Sequence, residues 1–417
     1  MKKQDFRFVG FMIALGLLFR LLFAADMEWK DDEKLMYQLS TETAAKGTFP
    51  EVGMMSGGGV VNPGLSVAVF ASLSHFTNSP DGLVKFVQWI NVLAILLLLN
   101  FIYRTVPLPE KKSWYYALSL AAVSPLAVLF SRKIWAQDLL PLFSVLLIFT
   151  IANRKKNVNA FFAGMIAMLI GQIHMSGFFL AAGFVGFSFL YDWYHHHKIK
   201  WLAWIAGGVI GCIPLIPWLQ YISTHKQGSY LILDHVLQWK FYIYTFLDAH
   251  GLNLVYTFEK EITQFYAYPS VNGISLCVVG VLYILLAGIA VYTLWMMVKY
   301  ALGLMNVFRE SGFIKWLFNC SLARFYLQGV FIGLGILMTF SGTEIYPHYL
   351  ICIFPFSYVW LCKLYIDHKR VLKMIIICQA VLTLLFLSYV HQNNGIFNGD
   401  YGQTYGSQDA ETRKLHY

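Results

Sequence analysis

The feature that most restricts this chain is the recurrence of apolar runs long enough to cross a bilayer. A spanning helix needs roughly 20 predominantly apolar residues. Candidate runs follow one another at approximately 8–25, 84–102, 114–130, 137–152, 159–172, 174–190, 201–220, 274–298, 322–341, 348–365 and 371–390, those at 137–152 and 159–172 being short for a full crossing. Composition agrees: 58% of the 417 residues are hydrophobic and 13% are charged, where soluble domains run near half and a quarter. With a mean hydropathy of +0.57, these values exclude a soluble enzyme, a disordered chain and, despite a net charge of +9, a nucleic-acid binder. The expected fold class is all-α: a polytopic integral membrane protein with about eleven transmembrane helices and with interfacial helices in the first long outer loop. Residues 1–390 form one transmembrane domain and 391–417 a short extracytoplasmic tail.

Lys2, Lys3 and Arg7 precede the first run and Ala24-Ala25 follow it, as in a signal peptide. Ten further apolar runs favour an uncleaved signal anchor instead. Short cytoplasmic loops retain Lys and Arg, and an N-terminus inside places eighteen of the 31 cations on the alternate short loops. Those loops hold five acids, whereas the outer segments hold eleven cations and seventeen acids. The basic balance is thus an orientation signal. A multi-pass protein of the inner or plasma membrane is expected, with its N-terminus cytoplasmic.

Two outer loops are long enough to hold structure, 26–83 and 222–273. The second carries eleven aromatics from Tyr230 to Tyr268, a density expected of helices lying in the membrane interface or of a surface that stacks on sugar or lipid. Cys212, Cys277, Cys352, Cys362 and Cys378 lie in or beside apolar runs and read as small core hydrophobes. The run His195-His196-His197 falls on the inner side as a polar collar. No HExxH, P-loop or Gly-rich dinucleotide fingerprint occurs.

Candidate chemistry gathers on the outer face. The first loop opens with Asp26, Glu28, Asp31, Asp32 and Glu33, directly after a helix that carries Arg20 near its outer end. These acids are either a solvated collar or part of a site. Successive helical residues diverge by about 100°, so at most one or two of Asp31, Asp32 and Glu33 can converge on a substrate. The second outer turn reads Ser131-Arg132-Lys133-Ile134-Trp135-Ala136-Gln137-Asp138. Two cations on the acidic side want a partner, either a phosphate or an ion pair with Asp138 or the first-loop acids. Asp138 also suits the start of the following helix. His174 and His348, the latter followed by Tyr349, fall at two further outer turns. Together these groups suggest an outward-facing site beside the bilayer for a negatively charged lipid.

Asp32-Glu33, then Tyr37, Gly47, Pro50 and Pro63-Gly64-Leu65 resemble the first outer loop of the GT-C glycosyltransferases, in the branch of protein O-mannosyltransferases and aminoarabinose lipid A transferases. Ser131-Arg132 followed by Asp138 resembles that family's second outer-turn motif. Pro347-His348-Tyr349-Leu350 through Pro355 is similar to its late helix start, with His348 where Arg is commoner. The likeness covers about the first 190 residues in motifs and the remainder in topology. Two departures are the short tail in place of a large soluble domain and the lack of a second Pro beside Pro63. The resemblance implies transfer of a sugar, with inversion, from a polyprenyl-phosphate lipid to an acceptor hydroxyl on a glycan, lipid or protein. Asp32 is then the first candidate base and Glu33 the second. Arg132 and Lys133, with Lys34, would bind the donor phosphate, and Asp138, His174, His348 and Tyr349 would support the site. No cofactor is implied, and a divalent metal at Asp31-Asp32-Glu33 is not needed. The rivals are a lipid-linked sugar flippase or transporter, which would want charges near helix centres, and an O-antigen polymerase or ligase.

Overall fold

A computed structural model describes residues 3–56, 60–225 and 236–415. Helix accounts for 76% and strand for 4%, so the all-α expectation holds. The chain opens with α1 (Lys3–Leu21), crosses a turn and forms α2 (Asp31–Lys46). A hairpin of β1 (Val52–Met55) and β2 (Val61–Pro63) leads into α3 (Leu65–Ser74). The bundle continues through α4 (Pro80–Arg104), α5 (Leu108–Val123), the short α6 (Pro125–Leu129), α7 (Leu140–Ala152), α8 (Asn157–Ile173), α9 (Ser176–Tyr194), α10 (Trp201–Cys212) and α11 (Ile216–Thr224). After the second loop, with α12 (Lys240–Ala249), α13 (Val255–Phe258), α14 (Ile262–Ala267) and the β3 (Ser270–Val271) and β4 (Ile274–Ser275) pair, come α15 (Val278–Ser311) and α16 (Phe313–Phe318). Next are α17 (Leu322–Val330), prolonged by a π-helical stretch to Met338, α18 (Phe356–Leu364) and α19 (Lys369–Asn393). The tail pairs β5 (Gly395–Ile396) with β6 (Gly402–Gln403) and ends in α20 (Tyr405–Leu415).

Four helical stretches are long and apolar enough to cross a membrane: Pro80–Arg104, Trp201–Thr224, Val278–Ser311 and Lys369–Asn393. They make the protein a helical membrane protein by length and composition. The other expected spans also fall on helix, several of it broken. The run at 114–130, for instance, is divided at Pro125 into α5 and α6.

That break explains Arg20. Proline has no N–H, so the carbonyl four residues earlier loses its helical partner. The buried Arg20 guanidinium takes up that carbonyl, Nη2 donating to Ala121 O at 3.1 Å, while Nη1 donates to the neighbouring Ala122 O at 2.5 Å and to Gly16 O of its own helix at 3.0 Å. A cation at that depth is satisfied by peptide dipoles, which ties α1 to α5.

The second loop corrects the interfacial reading. Among its described residues, α12 enters the bundle instead of lying across its rim. Phe241 and Ala249 are buried, and Tyr242 donates its hydroxyl to Gly335 O at 2.6 Å. At its foot, His250 reaches Thr293 near the middle of α15 at 2.8 Å, and Gln379 near the middle of α19 donates to Ala249 O at 2.9 Å. Gly251, at φ 73°, turns the chain back against the Gln379 side chain. Irregular backbone at such depth survives only when protein surrounds it, and here it does. Tyr230, counted among the loop aromatics, lies outside the described residues. The His195–His197 collar is structural: Asp192 receives two hydrogen bonds from Arg154, at 2.7 and 2.8 Å, and faces His197 at 3.1 Å.

Candidate functional site

The first turn of α2 decides which acids are free. Glu33, the third helical residue, accepts from the Lys30 N–H at 3.1 Å, satisfying one of the amides that a helix start leaves unpaired. That bond turns Glu33 inward, where it is 1% exposed, while Asp31 and Asp32 remain exposed. No hydrogen bond or ion pair holds the Asp32 carboxylate among the described residues.

Two cavities meet at Asp32. The larger, about 710 Å³, is walled by Glu28, Lys30, Asp31, Asp32, Glu33 and Lys133 on one side. Tyr244, Asn253, Tyr256, Glu259 and Asp400 approach from later in the chain. The smaller, about 430 Å³, runs between the β1–β2 hairpin and the α8–α9 turn, with Asn62, Gln137, His174 and Tyr349 in its wall. Asp32, Trp135, Tyr346 and His348 line both, so the two chambers share a waist built from one carboxylate and three rings. His348 sits against Trp135 at 4.7 Å and parallel to Tyr346 at 5.5 Å. His174 packs on Tyr349 at 5.2 Å and is fixed by the Ser176 hydroxyl at 2.8 Å.

The neighbouring cations Arg132 and Lys133 part company. Arg132 turns away from both chambers, and its guanidinium donates to Phe19 O at 3.0 Å and Phe23 O at 2.7 Å. It thereby caps the carbonyls at the end of α1. The expectation that it binds a donor phosphate is corrected on this point: the guanidinium lines neither chamber, and two of its N–H groups are held by backbone. Lys34 is exposed and lines neither chamber, so it too leaves the expected site.

Lys133 does face the larger chamber, in an ion pair with the first-loop acids. Its ammonium lies 2.5 Å from Glu28 and 3.7 Å from Glu33, over the Trp135 ring at 4.5 Å. Burial by itself would lower its pKa, but Glu28 and Glu33 overcome that and hold it well above the usual lysine range. Burial, together with the nearby Glu28 charge, pushes the Glu33 carboxyl up to about 7. Glu33 is therefore an enclosed partner of Lys133 and a helix cap, not an open second base. Asp138 accepts from the Lys133 N–H at 3.1 Å, and its own carbonyl receives the Asn91 amide at 2.8 Å. It orders the turn that presents Lys133 and Trp135.

The tail supplies a wall that sequence reasoning missed. Lys30 pairs with Glu28 at 2.6 Å and with Asp400 at 3.1 Å, and the Tyr401 hydroxyl donates to Asp26 O. Tyr405 N–H donates to Met27 O at 3.0 Å, and Gln408 donates to Trp29 O at 2.9 Å. Residues 394–408 are thus latched to residues 26–30. Neither Asp400 nor Asn253 carries a local signal that could have found it. Trp135 and Tyr346 stand beside residues that were singled out. Among the described residues no cluster of three or more His, Cys, Asp or Glu could hold a metal. No family model, curated protein or solved structure matches the chain.

Proposed function

We propose that the chain is a GT-C-like membrane glycosyltransferase with eleven spans, its N-terminus cytoplasmic and its site on the outer face. It transfers a sugar from a polyprenyl-phosphate donor to an acceptor hydroxyl. The observation that carries this reading is the Asp32 carboxylate, unpaired among the described residues, at the waist between two chambers. Two substrates meeting there would have one base between them. Asp32 takes the proton of the acceptor hydroxyl as its oxygen bonds to the anomeric carbon. The bond from that carbon to the phosphate oxygen breaks with its electron pair, and the configuration inverts. A phosphate leaves without a general acid, so a single base suffices.

The test is transfer in membranes containing a polyprenyl-phosphate sugar. Asp32→Asn should lower the rate by about 100-fold or more, the scale of lost general-base catalysis; wild-type transfer by that variant removes Asp32 from the role. A cysteine placed at Ser56 should label from outside intact cells, and failure to label inverts the topology.

A second reading, a transporter for lipid-linked sugars, gains support from one observation. Three ionisable groups, Arg20, Asp248 and His250, are buried inside the bundle. The same assay separates the two, since a transporter moves its lipid with the sugar–phosphate bond intact.

A further inference from the structure

The two chambers that share Asp32 differ in charge. Six carboxylates line the larger one (Glu28, Asp31, Asp32, Glu33, Glu259 and Asp400) against two lysines, Lys30 and Lys133. Both lysines are already engaged by Glu28. Among the described residues that line the smaller chamber, Asp32 is the single carboxylate. An anion entering the larger chamber would meet an excess of like charge in a partly desolvated space.

An independent observation concerns Asn253. It is 6% exposed, lines the larger chamber, and its Nδ2 has no partner among the described residues. A buried donor left unpaired is costly, so it calls for an oxygen from a ligand. Exposed carboxylates at Asp31 and Asp32 call for donors. A hydroxyl group meets both demands, accepting from Asn253 and donating to a carboxylate, whereas a phosphate only accepts. Trp135, Tyr244, Tyr256 and Tyr346 add apolar ring faces, and the volume is within the ordinary range for a small-molecule site.

We propose that the larger chamber seats a polyhydroxylated ligand bearing no negative charge and excludes a phosphate-bearing group. Under the function proposed above, the larger chamber is then the acceptor's seat, and its occupant is an uncharged or amine-bearing glycan.

The experiment measures binding without turnover. The full-length chain in lipid nanodiscs at pH 7 is titrated with glucosamine, glucose and glucose 6-phosphate, one ring with three charges, using ligand-observed NMR. Glucosamine should bind tightest and glucose next, with glucose 6-phosphate about 10-fold weaker than glucose from charge repulsion. Asn253→Ala should weaken glucose binding about 5-fold, the loss of one hydrogen bond. Glucose 6-phosphate binding as tightly as glucose overturns the proposal, as does an Asn253→Ala variant that binds glucose unchanged, or no saturable binding of glucose or glucosamine. The charge series uses the unaltered chain, so a folding defect in the variant does not obscure it. If the uncharged sugar is preferred but no polyprenyl-phosphate sugar is turned over, the chamber assignment stands and the transferase reading falls. Transfer activity with a preference for glucose 6-phosphate does the reverse.

Discussion

Two buried cations, Arg20 and Lys133, are satisfied in opposite ways. Arg20, inside the bundle, is held by backbone carbonyls at the Pro125 break and by Gly16 O of its own helix. Lys133, at the rim of the bundle, is held by side-chain carboxylates that belong to a cavity wall. Peptide dipoles neutralise a charge without adding another titratable group, and they move only if the helices move. Carboxylates bring their own charges and can exchange partners with a ligand. The inner arrangement suits a fixed brace, and the outer one suits a site.

The largest effect expected is at the rim. Lys133→Ala leaves Glu33 buried without its cation and Glu28 with Lys30 alone, and breaking such a pair costs about 3–5 kcal/mol. A thermal transition in detergent should fall sharply, and an unchanged transition would mean that Lys133 is not the pair's anchor. Arg132→Ala removes two donors from the end of α1 and should cost about 1–3 kcal/mol, the scale for carbonyls left unsatisfied. Its donor KM should stay as in the wild type, so a raised KM would return Arg132 to the phosphate site.

The smallest effect is a slope with pH. The Glu33 carboxyl is raised from 4.5 to about 7 in the folded chain, so folding takes up a proton between those values. Its contribution to stability is full below pH 4.5 and is lost as pH rises through 7. Glu33→Gln, which mimics the protonated form, should flatten the transition-against-pH profile over that window. A profile that keeps its slope would assign the titration to another group. Asp248→Asn discriminates the inner region: it should leave sugar transfer within a few-fold, whereas a transporter built on that polar cluster would stop.

Much of this was legible in local sequence. Apolar run length placed helix under every expected span. The acids after α1 and the turn from Ser131 to Asp138 were recognisable because local charge patterns ran against their surroundings. The orientation of neighbours was not legible there. Arg132 and Lys133 lie in irregular backbone, where no period fixes direction, and one caps α1 while the other enters the cavity. Adjacent Asp32 and Glu33 separate because Glu33 bonds back to the Lys30 amide. The fate of α12 was hidden for a different reason. Aromatic density marks an apolar environment, and the membrane interface and the interior of a bundle both qualify. Asn253 and Asp400 reach the site only through long-range folding, which no neighbouring residue announces.

The latch between Lys30 and Asp400 joins residues 370 positions apart. During synthesis the acids after α1 emerge early, while the wall that closes on them follows α19. Until that last long helix is in place, the chamber around Asp32 lacks the wall that Asp400 supplies. Assembly order alone leaves it open on that side until the bundle is complete.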